Sequence, residues 1–259
     1  KGFEKLMSAN ILVDFIPTAK PWAEELAAGF ISRLLKGRPY VTAKLGMSFD
    51  GKIASKYSTS KWITNELARK NGQLLRVQND AILVGTNTFA LDKPNLNTRD
   101  AFYRFKTPLR VFLDRKLSVF PEQHVVENLA KLPSILVCGE DPNNDNLDLW
   151  QKNKIEILRV PEVANKLDMK YLLNRLADKG INRLLVEGGG EIIANLISNN
   201  LIDRLVEYES GIILGNSGVN SIGALSKTPR EIEEYPNFKI KSVRQLEDNI
   251  EVVREPRKR

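Results

Sequence analysis

Short, mostly apolar segments recur along this chain with helical patterns between several of them, and this alternation constrains the fold more than any other feature. A strand that is covered on both faces shows little polar alternation, so such segments are typical of a buried parallel sheet. The predicted strands are Tyr40–Met47, Ala81–Val84, Leu109–Leu113, Ile135–Val137, Ile155–Val160 and Leu184–Val186. We therefore expect an α/β domain with a mostly parallel central sheet flanked by helices.

The N-terminal part of the chain predicts an amphipathic helix over residues 21–36. Pro21 suits its first turn, and Gly37 can end it. Its apolar residues recur at helical spacing, so they share one face. They are Trp22, Leu26, Phe30 and Leu34.

Other segments complete the predicted element order. Thr64 is expected to cap a helix that runs to about Gln78, and Asp168 one that ends at Gly180. A further helix is expected after the glycines at 188–190, and a surface loop at 141–150. The C-terminal segments alternate polar and apolar residues around a polar turn, which predicts an antiparallel hairpin. They are Phe238–Val243 and Asn249–Val253.

Composition excludes several classes of protein. Of the 259 residues 42% are hydrophobic, yet no apolar run approaches the roughly 20 residues that cross a bilayer. We expect a soluble, cytoplasmic protein without a membrane partner. A single cysteine (Cys138) and a single histidine (His124) leave too few ligands for a disulfide or a transition-metal centre. The first residue, Lys1, suggests a piece of a longer protein.

The net charge of +7 favours an anionic partner. No aromatic-interleaved basic motif accompanies it, so a phosphate-bearing small molecule is favoured over nucleic acid.

The first candidate site is Glu187-Gly188-Gly189-Gly190-Glu191, between a predicted strand and a predicted helix. Glycines allow close backbone approach, and the unpaired N–H groups of a helix N-terminus attract phosphate. The segment lacks the spacing of a Rossmann or P-loop motif. A tight turn without a ligand accounts for it about equally well.

The second and third candidates also follow predicted strands, where open α/β sheets bind their ligands. One is Val84-Gly-Thr-Asn-Thr88, continued by the segment from Asp92 to Arg99; the other runs from Lys44 to Asp50. Asp50 with Gly51 is better explained as an ordinary turn pair, and Asn87 and Asp92 can also be turn formers. Lys44 interrupts an otherwise apolar strand, and buried ammonium groups generally have a partner or a function.

The fourth candidate is the segment Ser60-Lys61-Trp62 together with Arg76 on the following helix. Trp62 can pack on a flat ring, and Arg76 can pair with a phosphate through two hydrogen bonds. Taken singly, each of these side chains is better explained as core filler or surface charge.

In this order, the motifs resemble the reductase domain of the bifunctional riboflavin-biosynthesis deaminase/reductase. The resemblance covers about residues 37–215, with residues 1–38 expected as a linker with an N-terminal helix and 39–259 as the reductase domain. Its landmarks are Arg38–Ala54, Ser60–Thr64, Leu75-Arg76, Asp80–Thr88, Asp92–Arg99 and Leu185–Gly190.

The resemblance implies a dihydrofolate-reductase-like fold, a homodimer, NADPH as hydride donor and 5-amino-6-(5-phosphoribosylamino)uracil, or its undeaminated relative, as substrate. From the residues themselves we expect catalytic roles for Lys44 as donor, for Asp50 as orienting carboxylate and for Glu187, which would hold the sugar or the pyrimidine. The implied cofactor-binding residues are Trp62, Thr88, Asp92, Gly188, Gly189, Gly190 and Glu191. The implied substrate-binding residues are Lys44, Ser60, Arg76, Leu96, Arg99 and Glu187, with Arg76 and Arg99 holding the 5′-phosphate.

The chain departs from the family pattern in three places. Lys93 stands where an aspartate is usual, Arg115 stands where a serine is common, and residues 209–212 match poorly. The first two are expected on the cofactor side. The zinc site of the deaminase half needs more cysteines than this chain has, so that activity would lie in another domain or protein. Two alternatives remain open: a related NADPH reductase that acts on a pterin, and a non-catalytic nucleotide-binding domain.

Overall fold

The computed structural model describes residues 2–57, 59–88, 96, 107–120 and 122–257. The strands within these ranges are β1 (Tyr40–Met47), β2 (Lys52–Ala54), β3 (Ala81–Val84), β4 (Leu109–Leu113), β5 (Ser134–Cys138), β6 (Glu156–Arg159), β7 (Glu162–Val163), β8 (Lys166–Leu167), β9 (Arg183–Val186), β10 (Arg204–Glu209), β11 (Val219–Asn220), β12 (Phe238–Leu246) and β13 (Asn249–Pro256). The helices are α1 (Gly2–Ser8), α2 (Lys20–Lys36), α3 (Glu66–Val77), α4 (Gln123–Lys131), α5 (Asn144–Lys152), α6 (Met169–Asp178) and α7 (Gly190–Ser198).

Nine of these strands form one sheet in the order β12-β13-β10-β1-β9-β3-β4-β5-β6. All pairings from β10 to β6 are parallel, whereas β13 and β12 are antiparallel at one end. The predicted parallel sheet with a C-terminal antiparallel hairpin is therefore confirmed. Strand β10, which was not predicted, joins the hairpin to β1.

The sheet has an apolar core on each face. Successive strand residues alternate between the cores: Leu83 belongs to one, and Ile82 and Val84 belong to the other. Helices α6 and α7 cover the first core, and α4 and α5 cover the second. This two-sided burial explains why the strands are apolar throughout.

The predictions for the cap of α3 and for the segment 141–150 were wrong. Asn65 rather than Thr64 caps α3, because its side chain accepts a hydrogen bond from the N–H of Ala68. The segment 141–150 is not a surface loop, because α5 begins at Asn144 and buries Trp150. The asparagine-rich sequence that suggested a turn instead supplies the cap: the Asn143 side chain accepts from the N–H of Asn146.

Helix α2 packs on the domain through its polar side. Glu25 pairs with Arg204 of β10 and Lys241 of β12, and Arg183 of β9 donates to backbone carbonyls of the helix. The predicted apolar face points away from these contacts, and Trp22 is 74% exposed. None of the described helices is long and apolar enough to cross a membrane.

Asp203 fastens the end of α2 to the sheet. Its carboxylate accepts hydrogen bonds from Arg38 and Lys36 and from the N–H of Val41 in β1. Burial opposes its ionisation, but these partners outweigh that effect and hold the pKa of Asp203 below its ordinary value.

We expect Asp203→Asn to lower the free energy of unfolding by about 3 kcal/mol, because the buried Arg38 loses its charged partner. In wild type, the contribution of the ionised Asp203 to the free energy of unfolding should be fully present above the ordinary pKa of an aspartate. It should be lost as pH falls below about 4. Urea denaturation over this pH range measures both effects.

The control is Asp178→Asn, which removes an exposed pair with Arg175. It should change the free energy of unfolding by less than about 0.5 kcal/mol. Equal effects of the two substitutions would contradict the proposed anchoring role of Asp203.

Candidate active site

The carboxyl ends of adjacent parallel strands open into one cavity of about 1100 Å³. The register aligns Ala43 of β1 with Val186 of β9, and Val186 with Leu83 of β3. The next residues, Lys44 on β1 and Glu187 directly after β9, are therefore neighbours. Both the loop after Val84 and the loop after Val186 line the cavity beside Lys44, so the prediction that these turns meet there is confirmed.

Most of the predicted site residues line this cavity. They are Lys44, Ser60, Trp62, Arg76, Thr88, Leu96, Glu187, Gly188, Gly189, Gly190 and Glu191. Asp92 and Arg99 lie outside the described residues, as does Lys93. These predicted residues therefore line the same cavity, while their individual roles remain predictions.

At the floor of the cavity, Arg76 of α3 holds Glu187. Its Nε donates to Oε1 at 2.8 Å and its terminal nitrogen to Oε2 at 2.6 Å, and both side chains are largely buried. Burial opposes ionisation of Glu187, but the hydrogen bonds and charge of Arg76, with the charge of Lys44, keep its pKa below the ordinary value. Two of the donors of Arg76, expected to bind phosphate, are thus engaged by a carboxylate.

Gly72 of α3 and Gly46 of β1 both lie next to the Lys44 side chain. A Cβ at Gly72 would lie 3.7 Å from Cε of Lys44, and a Cβ at Gly46 would lie 3.8 Å from its ammonium nitrogen. The lysine stem is therefore packed between strand and helix. This packing fixes the position of the ammonium group in the cavity.

The glycine turn after β9 forms the N-terminus of α7. Its N-cap residue is Gly189, which has no side chain to cap the helix, and a Cβ at Gly189 would meet no described atom within 4 Å. Gly85, in the loop after β3, packs against Ile192 of α7. A Cβ at Gly85 would lie only 2.6 Å from the Ile192 side chain, so this loop and α7 can approach each other this closely only with a glycine at that position. The first-turn amides of α7 are thus placed at the cavity wall, where they can bind an anion.

Trp62 lies at the rim in a backbone conformation that bulky residues rarely adopt, with φ of 70°. The guanidinium of Arg69 stacks 4.2 Å from its ring, and Arg69 also donates to the carbonyl of Thr64. Trp62 nevertheless stays 70% exposed. A strained, exposed aromatic side chain at a cavity rim is typical of a surface that stacks on a ligand.

Asp50 does not appear among the described residues that line the cavity. Its carboxylate accepts hydrogen bonds from the Ser48 hydroxyl and from the N–H groups of Leu214 and Gly215. These bonds, the one from Ser48 foremost, lower the pKa of Asp50 to about 2. This geometry favours positioning of the 214–215 loop over contact with reacting atoms.

Sequence reasoning missed several cavity residues, among them Arg69, Asn165, Lys166 and Asn220. Asn165 and Lys166 come from the β7–β8 hairpin, whose turn residues Ala164 and Asn165 have positive φ. An asparagine in a short polar segment was the available signal for that turn. Nothing in the local sequence shows that the hairpin reaches the cavity.

We expect Arg76→Ala to lower the free energy of unfolding by about 3 kcal/mol, because Glu187 loses its bidentate partner while remaining buried. The double substitution Arg76→Met, Glu187→Met removes both charges and should recover most of that loss. Urea denaturation of the three proteins tests the pair. If the single and double variants were equally unstable, loss of packing rather than an unpaired charge would be the cause.

Comparison with known proteins identifies the family. The model of the RibD C-terminal domain matches residues 39–252. The riboflavin biosynthesis protein RibD of Aquifex aeolicus is 32% identical over 250 residues, which are 96% of this chain and 67% of that protein. The chain thus spans about two thirds of the length of this relative.

Solved structures agree with that result. Acinetobacter baumannii RibD superposes with a TM-score of 0.81 at 26% identity, over 99% of this chain and 68% of that one. A diaminohydroxyphosphoribosylaminopyrimidine deaminase/5-amino-6-(5-phosphoribosylamino)uracil reductase from Thermotoga maritima gives a TM-score of 0.79 at 26% identity, over 99% and 67%. The expected dihydrofolate-reductase-like fold is confirmed by these neighbours.

Proposed function

Because the chain belongs to the RibD C-terminal domain family, we propose that it is an NADPH-dependent reductase of riboflavin biosynthesis. It reduces the ribosylamino group of 5-amino-6-(5-phosphoribosylamino)uracil to the ribitylamino product. The observation that carries the proposal is the cavity shared by Lys44, the Arg76–Glu187 pair and the N-terminus of α7, whose N-cap residue is a glycine.

The size of the cavity suits a ligand as large as a dinucleotide. Small-molecule sites occupy about 300–1,000 Å³, and this cavity, at about 1100 Å³, lies at the upper end of that range. The first-turn amides of α7 suit the pyrophosphate, and Gly189 leaves room for it. Thr88 and Trp62 offer a hydroxyl and a flat ring for the rest of the cofactor. When bound, a reduced nicotinamide dinucleotide supplies the hydride.

The residues around Lys44 suit the substrate half of the reaction. Reduction adds a hydride to C1′ of the opened ribose and a proton to the atom that was doubly bonded to it. Lys44 provides a positioned ammonium that can stabilise the developing charge and donate this proton. Glu187 stays ionised beside it, so it can accept hydrogen bonds from sugar hydroxyl groups or pyrimidine N–H groups.

Other parts of the proposal rest on the resemblance. They comprise substrate contacts from Ser60 and Leu96, cofactor contacts from Asp92, phosphate binding by Arg99, a homodimer, and a deaminase domain or protein acting in the same pathway. Residues 1–38 are proposed as the linker to that domain and residues 39–259 as the reductase domain. Leu96 fits its role, since it is buried and lines the cavity.

We expect Lys44→Ala to lower kcat by roughly 10²- to 10⁴-fold, the usual contribution of a positioned proton donor. The assay follows NADPH oxidation with 5-amino-6-(5-phosphoribosylamino)uracil, and a dihydropterin serves as competing substrate.

Lys70→Ala is the matched control, since Lys70 is exposed on α3 and pairs with Glu66 outside the cavity lining. It should keep wild-type turnover. Near-normal turnover of Lys44→Ala would remove Lys44 from the chemistry, and activity with the pterin alone would reassign the substrate.

A further inference from the structure

Trp62 stands at the rim of the cavity in a position that burial does not fix. Its side chain is 70% exposed, and its φ of 70° is one that a bulky residue adopts only when its surroundings impose it. An exposed indole ring held by its backbone alone would rotate about its side-chain bonds. The orientation of the ring therefore depends on the contacts that the ring and its neighbours make.

Arg69 of α3 contacts both the ring and the backbone that carries it. Its guanidinium lies over the Trp62 ring, 4.2 Å from the ring centre, and donates a hydrogen bond to the backbone carbonyl of Thr64. A planar guanidinium suits both contacts, since its face stacks on an aromatic ring while its edge carries N–H donors. One side chain thus ties the indole to its own segment of backbone.

The start of α3 gives Arg69 a fixed base. Asn65 caps the helix, and its side chain donates to the carbonyl of Leu246 at 2.7 Å. The backbone N–H of Asn65 donates to the side chain of Asn249 at 2.8 Å. Ala68, the residue before Arg69, is fully buried. Arg69 is therefore attached to a turn of helix that is itself anchored to the β12–β13 hairpin.

The segment that Arg69 holds lies against the strand that carries Lys44. A Cβ at Gly46 of β1 would lie 3.5 Å from the methyl group of Thr64 and 3.8 Å from the ammonium nitrogen of Lys44. The cavity lining includes Lys44, Trp62, Thr64 and Arg69. The backbone that presents the indole is thus packed beside the reactive end of the cavity.

We propose that Arg69 is a positioning residue, which holds the Trp62 ring in the orientation that stacks on the cofactor. This inference rests on the proposed function, because it takes the ligand of Trp62 to be the nicotinamide dinucleotide. Stacking on a ring that is already ordered costs less conformational entropy than stacking on a mobile one. The consequence is tighter cofactor binding without a direct bond from Arg69 to the cofactor.

The first test needs no ligand. The chain has three tryptophans, so isotope-labelled protein gives three indole N–H signals in NMR spectra, and Trp62→Phe identifies the one from Trp62. In Arg69→Met, the heteronuclear NOE of this indole should fall from a value typical of an ordered group to one typical of a mobile side chain. The signal of the buried Trp150 should not change, which shows that the fold is intact.

The second test separates binding from chemistry. With 5-amino-6-(5-phosphoribosylamino)uracil as substrate, Arg69→Met should raise KM for NADPH by about two- to tenfold, the cost of ordering one side chain on binding. It should leave kcat within about twofold of wild type, because the Trp62 ring acts equally on the bound cofactor and the transition state.

Lys70→Met is the matched control for this substitution. It removes the same charge from the next residue of α3, which pairs with Glu66 outside the described lining of the cavity. It should keep both the wild-type KM for NADPH and the wild-type NOE of the Trp62 indole.

A double variant shows whether Arg69 acts through Trp62. In a Trp62→Ala background, Arg69→Met should leave KM for NADPH unchanged, because no ring remains to be held. An equal rise of KM in both backgrounds would mean that Arg69 binds the cofactor directly, and it would overturn the inference.

The other failures are distinguishable. An unchanged NOE of the Trp62 indole in Arg69→Met, or an unchanged KM, would also overturn the inference and leave the reductase assignment intact. Absence of both NADPH binding and NADPH oxidation by wild type would overturn the proposed function itself, whatever the indole signals show.

Discussion

Parallel pairing of β1 with β9, and of β9 with β3, is the constraint on which the site depends. Parallel strands all end at the same edge of the sheet, so residues far apart in sequence become neighbours there. This is how Lys44 comes to lie beside Glu187, and how the loop after Val84 meets the N-terminus of α7. The reactive groups are consequently attached to the most buried part of the fold, and their separation is set by backbone hydrogen bonds.

Burial at this edge of the sheet also makes it costly to keep Glu187 charged. Glu187 can remain ionised in this interior only because Arg76 holds both of its oxygens and Lys44 adds a second positive charge. Helix α3 supplies both the cap at Asn65, which fixes where the helix starts, and the guanidinium of Arg76 about three turns later. The geometry of the helix is therefore part of the electrostatics of the site, and a shift of α3 would unpair a buried carboxylate.

Sequence reasoning located the strands well because two-sided burial imposes a composition that is visible locally. Strands β1, β3 and β4 were predicted with the bounds that the structure shows. Strand β10 was not, because the charged residues Arg204, Glu207 and Glu209 interrupt its apolar pattern. In the structure Glu207 accepts a hydrogen bond from Arg254. Helix α5 was read as a loop because asparagines that favour turns also make good helix caps. Long-range contacts such as Arg76 with Glu187 leave no local signature.

Ion pairs attach helix α2 to the domain that follows it in the chain. A helix normally packs through its apolar stripe, yet α2 is fastened by Glu25 and by the Lys36–Arg38 cluster around Asp203, with Trp22 facing outward. Ion pairs of this kind fix orientation more than they add stability. Since the same cluster binds the N–H of Val41, the direction of α2 is tied directly to β1, the strand that carries Lys44. The carboxylate that holds the C-terminal end of α2 therefore also holds the strand that carries Lys44.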